Sequence, residues 1–235
     1  MWAGCMYRSL EGELEAIVRL LRILGFDFDV YGEFCCGYPY HVMGDWGRAR
    51  EIVEANISRI NGYDMVVTPC PTCQIMLSTI YGEYGLEVRA RVRHTVSLIC
   101  ERAGSIGPLR GGVKVMYHDP CKLSRNLGIY REPRSLLESI PVKLYKQRFT
   151  GVETACCGAG GLLMAFSPTL SLKIAVRKLR DEDSIPSDVD YIVTECPACI
   201  ENLRRAASTL GLKAKVTSLA GLILDLKGMR VGGTV

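Results

Sequence analysis

Apolar and polar residues follow two periods along this chain, one typical of helices and one typical of short buried strands. Residues 10–24 carry apolar side chains three or four positions apart, which predicts an amphipathic helix that ends at Gly25. Residues 65–68 are apolar and rich in β-branched side chains, which predicts a buried strand. Strands and helices alternate in this way to the end of the chain. Such alternation indicates parallel sheets whose faces are covered by helices.

The predicted elements form two successive groups with the same order. In the first half, further strands are predicted over residues 28–31 and 86–92, and further helices over residues 45–60, 73–84 and 95–103. In the second half, strands are predicted over residues 113–117, 142–145, 191–194 and 215–217, and helices over residues 134–139, 168–179, 197–210 and 218–226. The predicted fold class is α/β, with two homologous units related by a pseudo-two-fold axis. Each unit is a small parallel sheet of about four strands flanked by helices.

The cysteines support a duplication of the chain. Eleven are present, and ten of them fall into two sets, in which a single cysteine is followed by Cys-Cys-Gly and then by Cys-Pro-x-Cys. The first cysteine set is Cys5, Cys35, Cys36, Cys70 and Cys73, and the second cysteine set is Cys121, Cys156, Cys157, Cys196 and Cys199. Cys100 belongs to neither set. The repeat predicts two cysteine-rich domains, residues 1–108 and 109–235, joined within the glycine-rich stretch 104–112.

Composition and charge argue against several classes of protein. No uninterrupted apolar run reaches about 18 residues, so we expect no membrane span, and we recognise no export signal. The net charge of +4 is spread along the chain and gives no indication of nucleic-acid binding. An odd number of cysteines without an export signal fits metal-bound thiolates in a reducing cytoplasm better than it fits disulfides.

The number of cysteines in each set bears on the kind of metal centre. Cys-x-x-Cys alone is a weak signal, because redox pairs, zinc sites and cluster sites all contain it. Five thiolates exceed the four that a tetrahedral zinc ion or an ordinary cubane cluster needs. They suit a cluster whose iron atoms are held unequally. Zinc in at least one set is the alternative, since sulfur-rich sites also select zinc.

Glycines and prolines beside the cysteines support an inorganic ligand. Gly37 and Gly158 follow the vicinal cysteines, and Gly160 lies two positions beyond Gly158. Glycine allows backbone N–H groups to approach sulfur closely, although a plain tight turn would use the same residues. Pro71 and Pro197 fit the first turn of the helices that begin at Cys-Pro-x-Cys. The free N–H groups of such a helix start favour thiolates.

The paired signatures resemble the cysteine-rich (CCG) domain family over nearly the whole chain, as do residues 117–121 (YHDPC) and 155–161 (ACCGAGG). This family includes the B-type subunit of heterodisulfide reductase and the catalytic part of its D-type subunit. The resemblance implies an oxidoreductase component that reduces a disulfide or a related sulfur substrate. It implies two [4Fe–4S] clusters of noncubane type, each held by one cysteine set, facing a substrate between the halves.

The resemblance leaves two other functions open. Iron–sulfur subunits of flavin-dependent glycolate, lactate and glycerol-3-phosphate dehydrogenases are similar, and their clusters would relay electrons without touching a substrate. The third possible function is that of an assembly protein that is stabilised by zinc and has no redox activity. A solvent-open cleft between the two sites would favour catalysis, whereas sites sealed by a partner surface would favour relay.

The resemblance also implies partners. The D-type subunit carries a ferredoxin-like region with closely spaced cysteines, and this sequence shows no such run. Electrons are therefore expected from a separate ferredoxin-like iron–sulfur protein, similar to the C-type subunit of heterodisulfide reductase, from a flavoprotein, or from both. We expect a small disulfide or organic substrate and a cytoplasmic location, with membrane association only through a partner protein. Because Cys5 follows Met1 so closely, the first strand is expected to be short or to begin upstream.

Polar residues near the second set have two interpretations. His118 and Asp119 could relay protons to product thiols, but packing at a strand end and capping of a turn are the more ordinary roles. Lys122 and Arg125 could attract an anionic substrate or offset cluster charge, or they could be solvated surface. No nucleophile arrangement of the Ser–His–Asp or Cys–His kind is evident.

The remaining candidates are expected to be mainly structural. His41 and His94 have no indicated chemistry, and Cys100 lies among apolar residues as a core thiol. Tyr38 and Tyr40 could line a pocket or fill the core.

Overall fold

A computed structural model describes residues 1–32 and 34–229 and shows two parallel sheets covered by helices. The first sheet pairs β1 (Met65–Thr68) with β2 (Arg91–His94). The second sheet contains β3 (Lys114–Tyr117), β4 (Lys143–Leu144), β5 (Tyr191–Val193) and β6 (Lys215–Thr217). Its strands lie in the order β4–β3–β5–β6, and all neighbours are parallel. The α/β fold class predicted from the sequence is confirmed.

The chain beside β1 repeats the strand order of the second sheet. The Trp2 N–H donates to the Val67 carbonyl at 2.7 Å, and Trp2 forms a parallel bridge with Tyr31. The order Tyr31–Trp2–β1–β2 therefore matches β4–β3–β5–β6. The prediction of a full strand over residues 28–31 is wrong, since only Tyr31 pairs. Aspartate is disfavoured in strands, and Asp29 lies in the middle of that segment.

Eleven helical segments of the described residues flank the sheets. In the first half they are α1 (Glu11–Ile23), α2 (Tyr38–Met43), α3 (Trp46–Ile60), α4 (Pro71–Ile75), α5 (Tyr81–Glu83) and α6 (Thr95–Glu101). In the second half they are α7 (Arg131–Ser139), α8 (Leu163–Phe166), α9 (Pro168–Arg177), α10 (Pro197–Thr209) and α11 (Leu219–Leu226). Short 3₁₀ turns lie at Cys5–Ser9, Ala103–Ser105 and Gly151–Glu153, and π turns at Met76–Ile80, Lys122–Asn126 and Lys178–Glu182. The sequence did not predict α2 and α8, because helices shorter than two turns do not show a period.

One predicted strand is shifted. The segment predicted as a strand over residues 86–92 enters the sheet only at Arg91. The Leu86 N–H donates to the Tyr81 carbonyl at 3.3 Å, and Gly85 has a φ of +77°. Leu86 therefore still belongs to the turn that ends the preceding helix, and the strand begins later.

The two halves pack against each other through equivalent pairs of helices. Helix α1 packs against α11, and α6 packs against α7. Helices α1 and α7 each follow the first extended segment of their half, and α6 and α11 are each the last helix of their half. The two contacts are therefore equivalent, which agrees with a pseudo-two-fold axis. Helix α11 carries one charged residue, Asp225, and its other residues are buried, as expected for a helix that packs on nearly all sides. The division at residue 108 falls between α6 and β3 and stays a prediction.

A buried carboxylate also joins the halves. Glu13 of α1 accepts hydrogen bonds from the Ser218 hydroxyl at 2.8 Å and the Ser218 N–H at 3.0 Å. It also forms an ion pair with Arg204 of α10. These contacts fix the first half against β6 and α10 of the second half, and so fix how the two cysteine sets face each other.

Candidate metal centres

The first cysteine set converges at the carboxyl end of the first sheet. Neighbouring thiols lie close enough for one to shift the pKa of the other, in the order Cys5, Cys35, Cys36, Cys73 and Cys70. They come from the turn after Trp2, the loop before α2 and the start of α4. All five sulfurs that the sequence grouped together therefore meet in space.

The second cysteine set has the same arrangement. Its thiols neighbour one another in the order Cys121, Cys156, Cys157, Cys199 and Cys196, and each shifts the pKa of the next. The sulfurs of Cys157 and Cys199 lie 3.1 Å apart. Cys196 is the residue that precedes the first turn of α10, where the Cys199 thiol and the backbone N–H groups of Cys199 and Ala198 lower the pKa of Cys196 against the opposing effect of burial.

The sulfurs within each set lie close enough together to shift one another's pKa. Hydrogen bonds from Cys35 and Cys73 lower the pKa of Cys36 to about 5. Hydrogen bonds from Cys121 and Cys157 lower the pKa of Cys156 to about 2. Five thiolates at this spacing cannot all be charged without a cation among them, since like charges in one buried site oppose ionisation. The donor set therefore fits a positively charged metal ion or an iron–sulfur group.

The two glycines that follow the vicinal cysteines donate to sulfur. The Gly37 N–H lies 3.4 Å from the Cys35 sulfur, and the Gly158 N–H lies 3.3 Å from the Cys156 sulfur. Both glycines have a positive φ, +90° and +80°, which other residues rarely adopt. Gly160 instead borders the cavity described below.

Gly4 is a further glycine at the site whose role the sequence did not indicate. It has a φ of +82°, and a Cβ atom added there would lie 2.9 Å from the Cys73 sulfur. Glycine therefore lets the backbone pass directly beside the first cysteine set.

Two buried asparagines hold the backbone of the vicinal cysteines, and the sequence did not indicate them as site residues. The side-chain amide of Asn56, in α3, donates to the Cys35 carbonyl at 2.9 Å. That of Asn202, in α10, donates to the Cys157 carbonyl at 2.7 Å and the Ser171 carbonyl at 3.1 Å. The only available signal was a polar residue on an otherwise apolar helix face.

Both cysteine sets border one cavity of about 190 Å³. Eight cysteines line it: Cys5, Cys36, Cys70, Cys73, Cys121, Cys157, Cys196 and Cys199. The cavity lies where the halves meet, since the turn at Cys5–Ser9 contacts α10 and the turn at Lys122–Asn126 contacts α4. The remaining wall is mainly apolar and includes Met6, Leu162 and Met164. The space between the two sites therefore has a mainly apolar wall.

Lys122 is the charged side chain that borders this cavity within the described residues. Its ammonium nitrogen lies 3.5 Å from the centre of the Tyr38 ring, which borders the same cavity from the other half. This cation–π contact fixes the lysine at the cavity wall. Arg125 is engaged elsewhere, because its guanidinium donates to the carbonyls of Val152 and Thr154.

The two residues considered for a proton relay have different surroundings. The Asp119 carboxylate forms an ion pair with Arg134 and accepts a hydrogen bond from the Gly151 N–H at 2.9 Å. His118 is fully buried, and neither ring nitrogen has a hydrogen-bond partner among the described residues. The ring instead lies against the second set, where a His118 nitrogen and the sulfurs of Cys157 and Cys199 are within 4.8 Å of one another. The relay stays a prediction.

The other candidates lie away from the cavity. The His41 Nδ1 is 2.9 Å from the Tyr84 hydroxyl, and the Tyr40 ring lies under the Arg48 guanidinium. His94 is buried at the end of β2, where its Nδ1 accepts the Val96 N–H at 3.2 Å and caps α6. Cys100 is a partly buried thiol outside both sets.

A duplicated α/β fold with two five-cysteine sites is the architecture of a metal-binding redox module. The chain belongs to the cysteine-rich domain (CCG) family, whose model matches residues 1–78 and 115–204. The two matched segments fall in the two halves and cover all ten cysteines of the two sets.

Curated relatives are longer redox proteins. The chain is 32% identical over 230 residues to the B-type subunit of the fumarate reductase (CoM/CoB) of Methanothermobacter marburgensis, covering 94% of this chain and 45% of that protein. It is 29% identical over 231 residues to the D-type subunit of the dihydromethanophenazine:CoB–CoM heterodisulfide reductase of Methanosarcina acetivorans, and the match covers 92% of this chain and 55% of that protein. It is 31% identical over 201 residues to the EtfAB:quinone oxidoreductase of Syntrophomonas wolfei, and the match covers 79% of this chain and 28% of that protein. The chain thus spans about half or less of the length of these relatives. Among the described residues, no helix is both long and apolar enough to cross a membrane.

Proposed function

We propose that this chain is the iron–sulfur module of a reductase, and that a disulfide or related sulfur compound is reduced in the cavity between its two cysteine sets. The observation that carries this proposal is that sulfurs of both sets border the same cavity. The relatives named as components of heterodisulfide reductase and of CoM/CoB fumarate reductase support it.

The proposed cofactors are two [4Fe–4S] clusters of noncubane type, one in each set. Five contiguous sulfurs in each set support this assignment, because they exceed the four ligands of a tetrahedral zinc ion or of a cubane cluster. Zinc is the alternative for the second set, where His118, Cys157 and Cys199 are close enough to hold one metal ion. When bound, an iron–sulfur group supplies single electrons, and the sulfur ligation and nearby hydrogen bonds set its potential.

The protein's own residues would bind and orient the substrate. The apolar wall keeps water from the reacting sulfurs, and the ammonium group of Lys122 would attract an anionic group of the substrate. The N–H groups of Gly37 and Gly158 hold the outer sulfurs of the vicinal pairs in place. Because the cavity is bordered by both sets, each sulfur of a disulfide could face a different set.

Electrons would come from a ferredoxin-like iron–sulfur protein, from a flavoprotein, or from both. Cys156 is exposed, whereas the other members of the second set are buried or half-buried, so we place the entry point for electrons beside it. Any membrane association would then depend on such a partner.

An electron-relay function in a flavin-dependent hydroxy-acid dehydrogenase is the second candidate. The relative named EtfAB:quinone oxidoreductase supports the electron-relay part of this function. In a relay, neither site needs a substrate cavity, so the cavity between the sets favours reduction of a substrate.

Disulfide reduction by the anaerobically reconstituted chain tests the proposal. A reduced viologen supplies electrons, and free thiol is measured with an uncharged disulfide and with a carboxylated disulfide of similar size. We expect thiol production that disappears in a Cys36→Ser/Cys157→Ser variant. Viologen oxidation by a quinone or flavin without thiol production from any disulfide would instead support the relay function.

A further inference from the structure

The two cysteine sets differ at the position three residues before their first member. That residue is Trp2 in the first half and His118 in the second. Trp2 lies against Phe34, with ring centres 6.0 Å apart, and borders a separate cavity whose described lining residues include no cysteine. His118 lies against the sulfurs of Cys157 and Cys199. The second site therefore has an imidazole where the first site has none.

The His118 ring has a polar group that needs a partner. A neutral imidazole carries one N–H donor and one acceptor nitrogen, and both His118 nitrogens are buried without a hydrogen-bond partner in the described part of the chain. A buried donor left unpaired costs about 1–3 kcal/mol. The sulfurs of Cys157 and Cys199 lie beside the ring, and they or sulfide held between them could accept its N–H.

The surroundings keep His118 fixed. Its backbone N–H donates to the Val193 carbonyl at 2.9 Å, which fixes the residue just beyond β3. The ring is therefore held in place beside the sulfurs of Cys157 and Cys199.

We propose that His118 donates an N–H hydrogen bond to sulfur at the second site and thereby gives the group held there a higher reduction potential than the group at the first site. This inference rests on the proposed function, because it requires an iron–sulfur group in each set. Reduction adds negative charge to sulfur, and a hydrogen bond to sulfur stabilises that charge. His118 is thus a tuning residue, and the two sites are functionally unequal despite equal sulfur donors.

The unequal reduction potentials give electron transfer between the two sites a preferred direction. An electron that enters the module would reside on the second site, beside the exposed Cys156. The first site would be the stronger one-electron donor. Reduction of the substrate would therefore begin from one defined side of the cavity.

Potentials of isolated sites test this inference. A Cys36→Ser/Cys73→Ser variant leaves the second site intact, and a Cys157→Ser/Cys199→Ser variant leaves the first. Redox titration followed by electron paramagnetic resonance should give a higher potential for the second site. Adding His118→Phe should lower the potential of the second site, and adding His118→Gln, which keeps an N–H donor, should lower it less. In the variant that retains only the first site, adding His118→Phe should leave the reduction potential unchanged.

Several results would overturn the inference while leaving the proposed function in place. Unchanged potential at the second site in an iron-replete His118→Phe variant would do so. A strong nitrogen coupling of the reduced second site, lost in His118→Phe, would show that the imidazole is a direct ligand. Loss of iron from the second site in both His118 variants would also assign a ligand or structural role. If the wild-type chain retains neither iron nor sulfide, the inference and the proposed function fail together.

Discussion

The sulfur atoms of Cys157 and Cys199 lie 3.1 Å apart although 42 positions separate the two cysteines in the chain. One belongs to the loop before α8 and the other to the first turn of α10. The contact exists only when the loop, β5 and α10 are folded against each other. Because the ligands are assembled by the fold, metal binding and folding should stabilise each other.

Removal of one cysteine from one set should empty that set alone. Cys199→Ala should lose the metal of the second set and Cys73→Ala that of the first, so each variant should retain about half of the iron. Iron and sulfide analysis after anaerobic purification measures this. Cys100→Ser is the matched control, because Cys100 lies outside both sets, and it should retain all of the iron. Equal iron loss from both sets in either single variant would contradict two independent sites.

The asparagines should act on separate sets. In Asn202→Ala, the carbonyls of Cys157 and Ser171 lose their donor, and each buried group left unpaired costs about 1–3 kcal/mol. The loop that carries the second vicinal pair should then be less well held, and the second set should release iron to a chelator several times faster. Asn56→Ala should have the same effect on the first set, through the Cys35 carbonyl. Release rates that do not depend on which asparagine is replaced would count against this role.

Lys122 should set a preference for anionic substrates. Lys122→Met removes the charge at the cavity wall but keeps most of the side-chain volume. The KM for a carboxylated disulfide should rise about tenfold, equivalent to about 1.4 kcal/mol, and that for an uncharged disulfide should change little. Lys122→Arg keeps the charge and should retain most of the preference. An equal rise in KM for both substrates would show that Lys122 only shapes the cavity.

His94 should make the protein less stable in mild acid. Burial lowers the pKa of His94 from 6.5 to about 3. Between these values the unfolded chain binds a proton that the folded chain does not, so stability falls as the pH drops below 6.5. From pH 7 to pH 5, this group should remove about 2 kcal/mol from the free energy of unfolding.

Denaturant unfolding at the two pH values measures this effect. His94→Asn retains an acceptor for the Val96 N–H and should lose less stability than the wild type over the same change. His41→Asn is the control, since His41 lies partly exposed beside Tyr84, and it should follow the wild type. Identical pH dependence in the wild type and His94→Asn would contradict the assignment.

Much of the fold was predictable because the chain repeats itself. The strands at Met65–Thr68 and Lys215–Thr217 have the predicted bounds, since each contains β-branched valine and threonine close to turn residues. The order Tyr31–Trp2–β1–β2 was not predictable, because local pattern does not indicate which segments become neighbours. Helix α2, a turn and a half long, is too short to show a period.

The candidate site was predictable in its sulfurs but not in its surroundings. The order of cysteines within each half grouped the residues that the structure brings together. The contact between Tyr38 and Lys122 joins residues of different halves, so it depends on how the halves dock. Asn56 and Asn202 look like ordinary helix residues until their carbonyl partners are known. Contacts that depend on docking and packing are not encoded in local spacing.

The amount of iron and acid-labile sulfide bound by each chain tests the central claim most directly. The anaerobically purified wild-type protein should be brown and should contain about eight iron and about eight sulfide per chain, four of each in each cysteine set. A colourless protein with about one zinc ion in each set and no sulfide would contradict the claim.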